Sequence, residues 1–188
     1  MFIKIIKRVL KYFTILVLAL VSIWVSVGLI YGNFYKLSDD AYRSAQLFSF
    51  NMPYYLEKHK IKTMINLRGA RPNQEWYQDE MSITKEYNVT HIDHQISSGG
   101  YLDYNQTSQI VAMLKTAKKP LIIHCQGGAD RTSLVSALYD YAILHKSKEE
   151  ARKELRWFYG HLPKIRKKVI AMENSFDNYV EKSELLAQ

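Results

Sequence analysis

Residues 124 to 132 read His-Cys-Gln-Gly-Gly-Ala-Asp-Arg-Thr. Cys125 and Arg131 are separated so that one short loop holds both, with His124 before the thiol, Gly128 between, and Thr132 after the guanidinium. A thiolate is a good nucleophile for phosphorus, and a planar guanidinium fork suits two phosphoryl oxygens. The apolar run Pro120 to Ile123 leads into the loop, and a helix-like run, Ser133 to His145, leads out. Strand, glycine-bearing loop and helix in that order aim backbone amides and a helix N-terminus at one spot, which makes an anion cradle. The same field favours a thiolate. Gln126, Gly127, Gly128, Ala129, Asp130 and Arg131 are therefore the expected phosphate-binding loop, with Cys125 as its nucleophile.

The stretch resembles the signature loop of the cysteine-dependent phosphatases, the protein tyrosine and dual-specificity superfamily. Their pattern is His-Cys-x-x-Gly-x-x-Arg followed by Ser or Thr, and every fixed position is matched. Tyr42-Arg43-Ser44-Ala45-Gln46 and Ile65-Asn66-Leu67-Arg68-Gly69 resemble segments of compact bacterial dual-specificity-like phosphatases, so the resemblance spans residues 40 to 160 or so. It implies that Cys125 forms a phosphocysteine and that Arg131 binds substrate and stabilises the transition state. It also implies that Thr132 supports the sulfur as it leaves and that His124 orients the loop through backbone contacts. No metal and no cofactor is implied.

Proton delivery is less legible. Relatives take a general acid from a mobile loop ahead of the cysteine, a region that here runs from His91 to Asp103. Asp93 falls inside an expected strand, and Asp103, with Gln106 three residues on, reads as the N-cap of a capping box. Asp130 stands inside the loop directly before Arg131, a position where myotubularin-type phosphoinositide phosphatases also carry Asp. It ranks first as general acid, with Asp103 and Asp93 as alternatives.

These residues need a scaffold. Ala41 to Gln46, Lys62 to Leu67, Val89 to Ile96 and Pro120 to His124 read as strands. Met52 to His59, Gln74 to Tyr87, Tyr104 to Lys118 and the run after the loop read as helices. Ser147 with Glu149 and Glu150 starts another helix, and a last one is expected from about Lys164. Alternation of this kind predicts an α/β fold, a mostly parallel central sheet flanked by helices, with the loop at the carboxyl end of a central strand. Arg43, Arg68 and Arg71 fall near strand ends on the loop's side, where Arg68 offers a second phosphate contact or a structural ion pair.

At the N-terminus, Lys4, Lys7, Arg8 and Lys11 precede an uncharged, mostly apolar stretch from Tyr12 to Tyr35. That pattern predicts a basic flank over 1–11, one transmembrane helix over 12–35 with Tyr31, Phe34 and Tyr35 as its interfacial aromatics, and a phosphatase domain over 36–188. Positive-inside reasoning then puts the N-terminus in the cytoplasm and the catalytic domain in the periplasm or outside the cell. Net charge is +8, but four of the 26 Lys and Arg lie in this flank, leaving 22 against 18 acidic residues. That balance, without a motif, gives no reason to expect nucleic-acid binding. The denser cluster Lys164, Arg166, Lys167 and Lys168 reads either as a contact to anionic head groups or as a solvated helix face.

The expected partners are a phosphorylated protein or a lipid phosphate, with the membrane reached through the anchor. The expected activity is hydrolysis of phosphate monoesters by a tyrosine or dual-specificity type enzyme. An envelope lipid or inositol phosphate phosphatase is the alternative substrate reading. A phosphate-binding pseudo-phosphatase, or a sulfur-transferring rhodanese-like domain, is the alternative of another class.

Overall fold

Five strands of four residues each form one sheet in the order β1-β2-β5-β3-β4. They are β1 (Tyr35–Ser38), β2 (Ala41–Ser44), β3 (Thr63–Asn66), β4 (Thr90–Asp93) and β5 (Leu121–His124). β2, β5, β3 and β4 are mutually parallel, and β1 runs antiparallel along the edge beside β2. The computed structural model describes residues 2–188, and of residues 2, 3, 24, 25, 27 and 29 the backbone alone.

Period-two alternation divides the core. Ile122 of β5 lies in register with Tyr42 and Met64 and packs with Met52, Leu56 and Val89 on one face. Leu121 and Ile123 point the other way, into the larger cluster with Ile65, Ile110, Leu114, Leu134, Leu138, Met172 and Phe176. Every residue of β5 is buried, as a parallel strand covered on both faces requires. On the first face lie α2 (Met52–Lys58) and α3 (Glu75–Glu86); on the second lie α4 (Tyr104–Thr116), α5 (Asp130–Ala142), α6 (Lys148–Arg152) and α7 (Ile170–Leu186). Two capping boxes start helices where the pattern predicts them, Asp103 with Gln106 for α4 and Ser147 with Glu150 for α6. The last helix begins at Ile170, six residues later than expected, because 162–169 coil through turns and one 3-10 turn, Lys167–Val169.

The chain divides into two units, Met1–Tyr31 and Gly32–Gln188. The first is the single helix α1 (Phe2–Ile30). The predicted transmembrane anchor is corrected here: among the described residues no helix is long and apolar enough to cross a membrane. The physical reason lies at both ends. Lys4, Lys7, Arg8 and Lys11 occupy the first turns of α1, so about the first third of that helix is strongly cationic and not apolar. At the other end Phe34 stacks on Tyr42, Tyr55 and His59, and Tyr35 opens β1 against Phe158 and Tyr159. Those aromatics belong to a protein core, not to a bilayer interface. The cytoplasmic N-terminus, the periplasmic or extracellular catalytic domain and the membrane partner rested on the span and fall with it. The anchor-based case for an envelope lipid substrate falls too.

Candidate active site

The parallel register lines up strand ends. Ser44, His124, Asn66 and Asp93 stand side by side across β2, β5, β3 and β4, so the residues that follow them emerge at one edge. Cys125 follows His124 there, 3% exposed, and α5 begins at Asp130. The loop between them is 125–129, at the carboxyl end of the central strand.

Its outer surface is tied down carbonyl by carbonyl. Asn33 Nδ2 donates to Gly127 O (3.0 Å), Gly128 O (3.3 Å) and Tyr159 O (3.1 Å). Arg43 Nη2 donates to Gly128 O at 2.8 Å, and the Gln46 amide donates to Gln126 O at 3.2 Å. With the carbonyls turned outward and paired, the loop amides face the other way. Among the described residues no backbone carbonyl accepts from the amides of Gln126 to Asp130. Unspent amides at a helix N-terminus are what an oxyanion needs. Gly128 is at φ +63°, and a Cβ there would meet Ala45 N at 2.5 Å and Ser44 O at 2.8 Å, so no larger residue fits. At Gly127 a Cβ would meet nothing within 4 Å.

Arg131 is held by neutral acceptors, Leu67 O at 3.2 Å and Ile96 O at 3.5 Å, which leaves its charge for a ligand. Thr132 is fully buried, and its hydroxyl has no hydrogen-bond partner among the described residues. His124 is buried under the loop with Nε2 3.3 Å from Glu80 Oε1. Glu80 of α3 is itself fully buried, with His91 Nε2 2.7 Å from its Oε1 and Gln46 Nε2 donating to its Oε2 at 2.5 Å. Burial pushes the Glu80 carboxyl up, but the charge of His124 and the polar groups of His91 and Gln46 outweigh it, holding it well below the ordinary carboxylate range.

The three candidate acids are each engaged. Asp130 accepts from Arg166 Nη2 (2.9 Å to Oδ2), and His161 Nδ1 lies 2.8 Å from its Oδ1. Asp93 accepts from Tyr77 Oη at 2.5 Å and Asn66 Nδ2 at 2.8 Å; burial first, then the bond to Asp93 and its charge, push the Tyr77 hydroxyl up to about 12. Asp103 accepts from the Gln106 amide at 2.9 Å in the α4 cap. Asp130 alone directly adjoins the loop that holds Cys125, as the first residue of α5.

Several residues at this site escaped sequence reasoning, Asn33 among them, since it lay inside the expected span. His161, read as a turn residue, is buried between Asp130 and Glu173 of α7 (Nε2 to Oε1, 3.3 Å). Arg166, read as part of a basic cluster, bridges Asp130 to Gly160 O at 2.9 Å. Glu80 did carry a signal, since Tyr77, Glu80 and Thr84 make a buried stripe at helical spacing with a carboxylate in its middle. Arg43 was noticed only for its strand end. It is fully buried, pairs with Glu154 Oε2 at 2.5 Å, donates to Ser133 Oγ at 2.9 Å and lies 3.7 Å over the Tyr159 ring.

No protein-family model matches the chain, and no curated protein matches it either. Solved structures do. P. aeruginosa TpbA is 19% identical with a TM-score of 0.62 over 79% of this chain and 88% of its own. A variant of TpbA in complex with phosphotyrosine is 18% identical with a TM-score of 0.60 over 81% and 92%. The Siw14 catalytic core is 19% identical with a TM-score of 0.57 over 81% and 92%.

Proposed function

From a chain that has the fold of the cysteine-dependent tyrosine and dual-specificity phosphatases, we propose an enzyme that hydrolyses phosphate monoesters through a phosphocysteine intermediate. One observation carries this reading: a loop whose Gln126, Gly127 and Gly128 carbonyls are bonded by Gln46, Asn33 and Arg43 presents free amides beside a buried cysteine.

The steps follow from the residues. The loop amides and Arg131 bind the non-bridging phosphoryl oxygens and stabilise the charge that develops there. Cys125 Sγ attacks phosphorus, the bond to the ester oxygen breaks, and the leaving alkoxide or phenoxide takes a proton. Asp130, paired with His161 and Arg166 and directly before Arg131 in the chain, is assigned that proton on its position, ahead of Asp103 in the α4 cap and Asp93 at the end of β4. Water then attacks the phosphocysteine, and the Thr132 hydroxyl supports the departing sulfur. The fold likeness to a TpbA variant bound to phosphotyrosine supports a phosphorylated protein as the substrate to try first.

Phosphate release from a phosphotyrosine peptide by the full chain tests the reading. Release that disappears in Cys125→Ser is the expected result. No release by the wild type, with phosphate still bound, would instead favour a pseudo-phosphatase. Asp130→Asn is expected to lower kcat and flatten the fall in rate with rising pH, and an unchanged rate and profile would remove Asp130 from proton delivery.

A further inference from the structure

Resting on that reading, we propose that the site takes substrates with a second anionic group, phosphate or carboxylate, next to the scissile phosphate, and that Arg68 with Arg71 binds it.

Arg131 donates to Leu67 O, and Arg68 is the next residue along the chain, so two guanidinium groups share one edge of the sheet. Arg68 is fixed in place. Its Cζ lies 3.4 Å from the Trp76 ring centroid, and its Nη1 donates to Gln46 Oε1 at 2.8 Å. Gln46 cannot flip its side-chain amide, because Nε2 donates to the buried Glu80 carboxylate, while its backbone N–H donates to Gln126 O of the loop. Arg68 is thus oriented by a neutral oxygen tied to the loop itself. Arg71 stands beyond it, exposed, with Ala70 O at 2.9 Å and Gln95 Oε1 at 3.4 Å.

Arg68, Arg71 and Arg131 have no carboxylate within ion-pair distance among the described residues, whereas Arg43 and Arg166 each have one and Arg152 has two. Burial lowers the Arg68 guanidinium from its ordinary value, and the charge of Arg131 lowers it further. Like charges gathered on an edge with no carboxylate in direct contact repel one another and favour an anion. One phosphoryl group is already served by the loop amides and Arg131. The remaining fork fits a neighbouring oxyanion of the same molecule.

Calorimetric binding to the full chain in a Cys125→Ser background, so that no probe is consumed, tests this. The probes are orthophosphate, pyrophosphate for a second phosphate, and phosphoglycolate for a carboxylate. Either two-anion probe is expected to bind about tenfold more tightly than orthophosphate, the worth of one charged hydrogen bond. Arg68→Gln is expected to erase most of that ratio while the melting temperature holds. Equal affinity for all three probes overturns the proposal, as does an Arg68→Gln variant that weakens all three alike. Should Arg68→Gln not fold, Arg71→Gln must lower the ratio, or the proposal fails. Cys125-dependent phosphate release is read separately, so loss of the phosphatase reading would show there and not in the binding ratio.

Discussion

At the scale of single residues, the two loop glycines make opposite demands. Gly128 combines a left-handed backbone with the main chain of Ser44 and Ala45 closer than any Cβ tolerates. Gly128→Ala is expected to cost ~2 kcal/mol or more, part left-handed strain and part displacement of β2, and to abolish turnover. Gly127→Ala adds a methyl to open space and should stay within about 0.5 kcal/mol. Urea unfolding of both variants beside phosphate release checks the pair, and similar losses at the two positions would refute the assignment. The proposed nucleophile and its loop were legible in the sequence because the pattern is packed into nine consecutive residues, His124 to Thr132. The residues that steady them were not, because Asn33, Arg43, Glu80, Glu154, His161 and Arg166 come from five separate stretches and meet only in the fold.

At the scale of elements, Arg43 is the fastener. From β2 it reaches the loop at Gly128, the first turn of α5 at Ser133, and Glu154 after α6, all inside the core. Removing one member of a buried ion pair leaves the other charge stranded, so Arg43→Met is expected to cost about 3–5 kcal/mol. Arg43→Lys should not rescue it, because a single ammonium cannot reproduce the fork over Tyr159. Chemical denaturation of the two variants decides, and near-native stability of the lysine form would show that charge alone matters. Element types were readable where a 3.6 period was clean, as in α4, or where an apolar run was short, as in β5. β1 was hidden because Tyr35 closes an apolar stretch that looked like one continuous span. Only its pairing with β2 marks it as a strand.

At the scale of the whole molecule, the innermost helix carries a misfit charge. Asp140 of α5 is 2% exposed, with Lys146 Nζ at 2.9 Å on Oδ2 and, among the described residues, no hydrogen-bond partner on Oδ1. Burial pushes its carboxyl up to about 6 from an ordinary 3.8, against the pull of Lys146. The folded state therefore binds the proton more tightly than the unfolded chain does. Stability from this group is greatest below about pH 4 and is lost as pH rises through about 6, a swing of up to ~3 kcal/mol. Asp140→Asn should remove that slope, so the difference between wild-type and variant unfolding free energies grows from pH 4 to pH 7 in the variant's favour. Parallel curves would show that Asp140 does not titrate in this range. The sheet order was out of reach of sequence reasoning, since β5 enters between β2 and β3 by long-range pairing that no local pattern records.

The amide of Asn33 also bears on where a catalytic fragment of this protein can begin. Hydropathy invites a cut just before Lys36, after the last aromatic of the apolar stretch. That cut would discard Tyr35 of β1 and, with Asn33, the one side chain that gathers the carbonyls of Gly127, Gly128 and Tyr159. A fragment so trimmed would carry every residue of the signature and still understate the enzyme's turnover, whereas one opening at Gly32 or earlier keeps the loop's outer clasp.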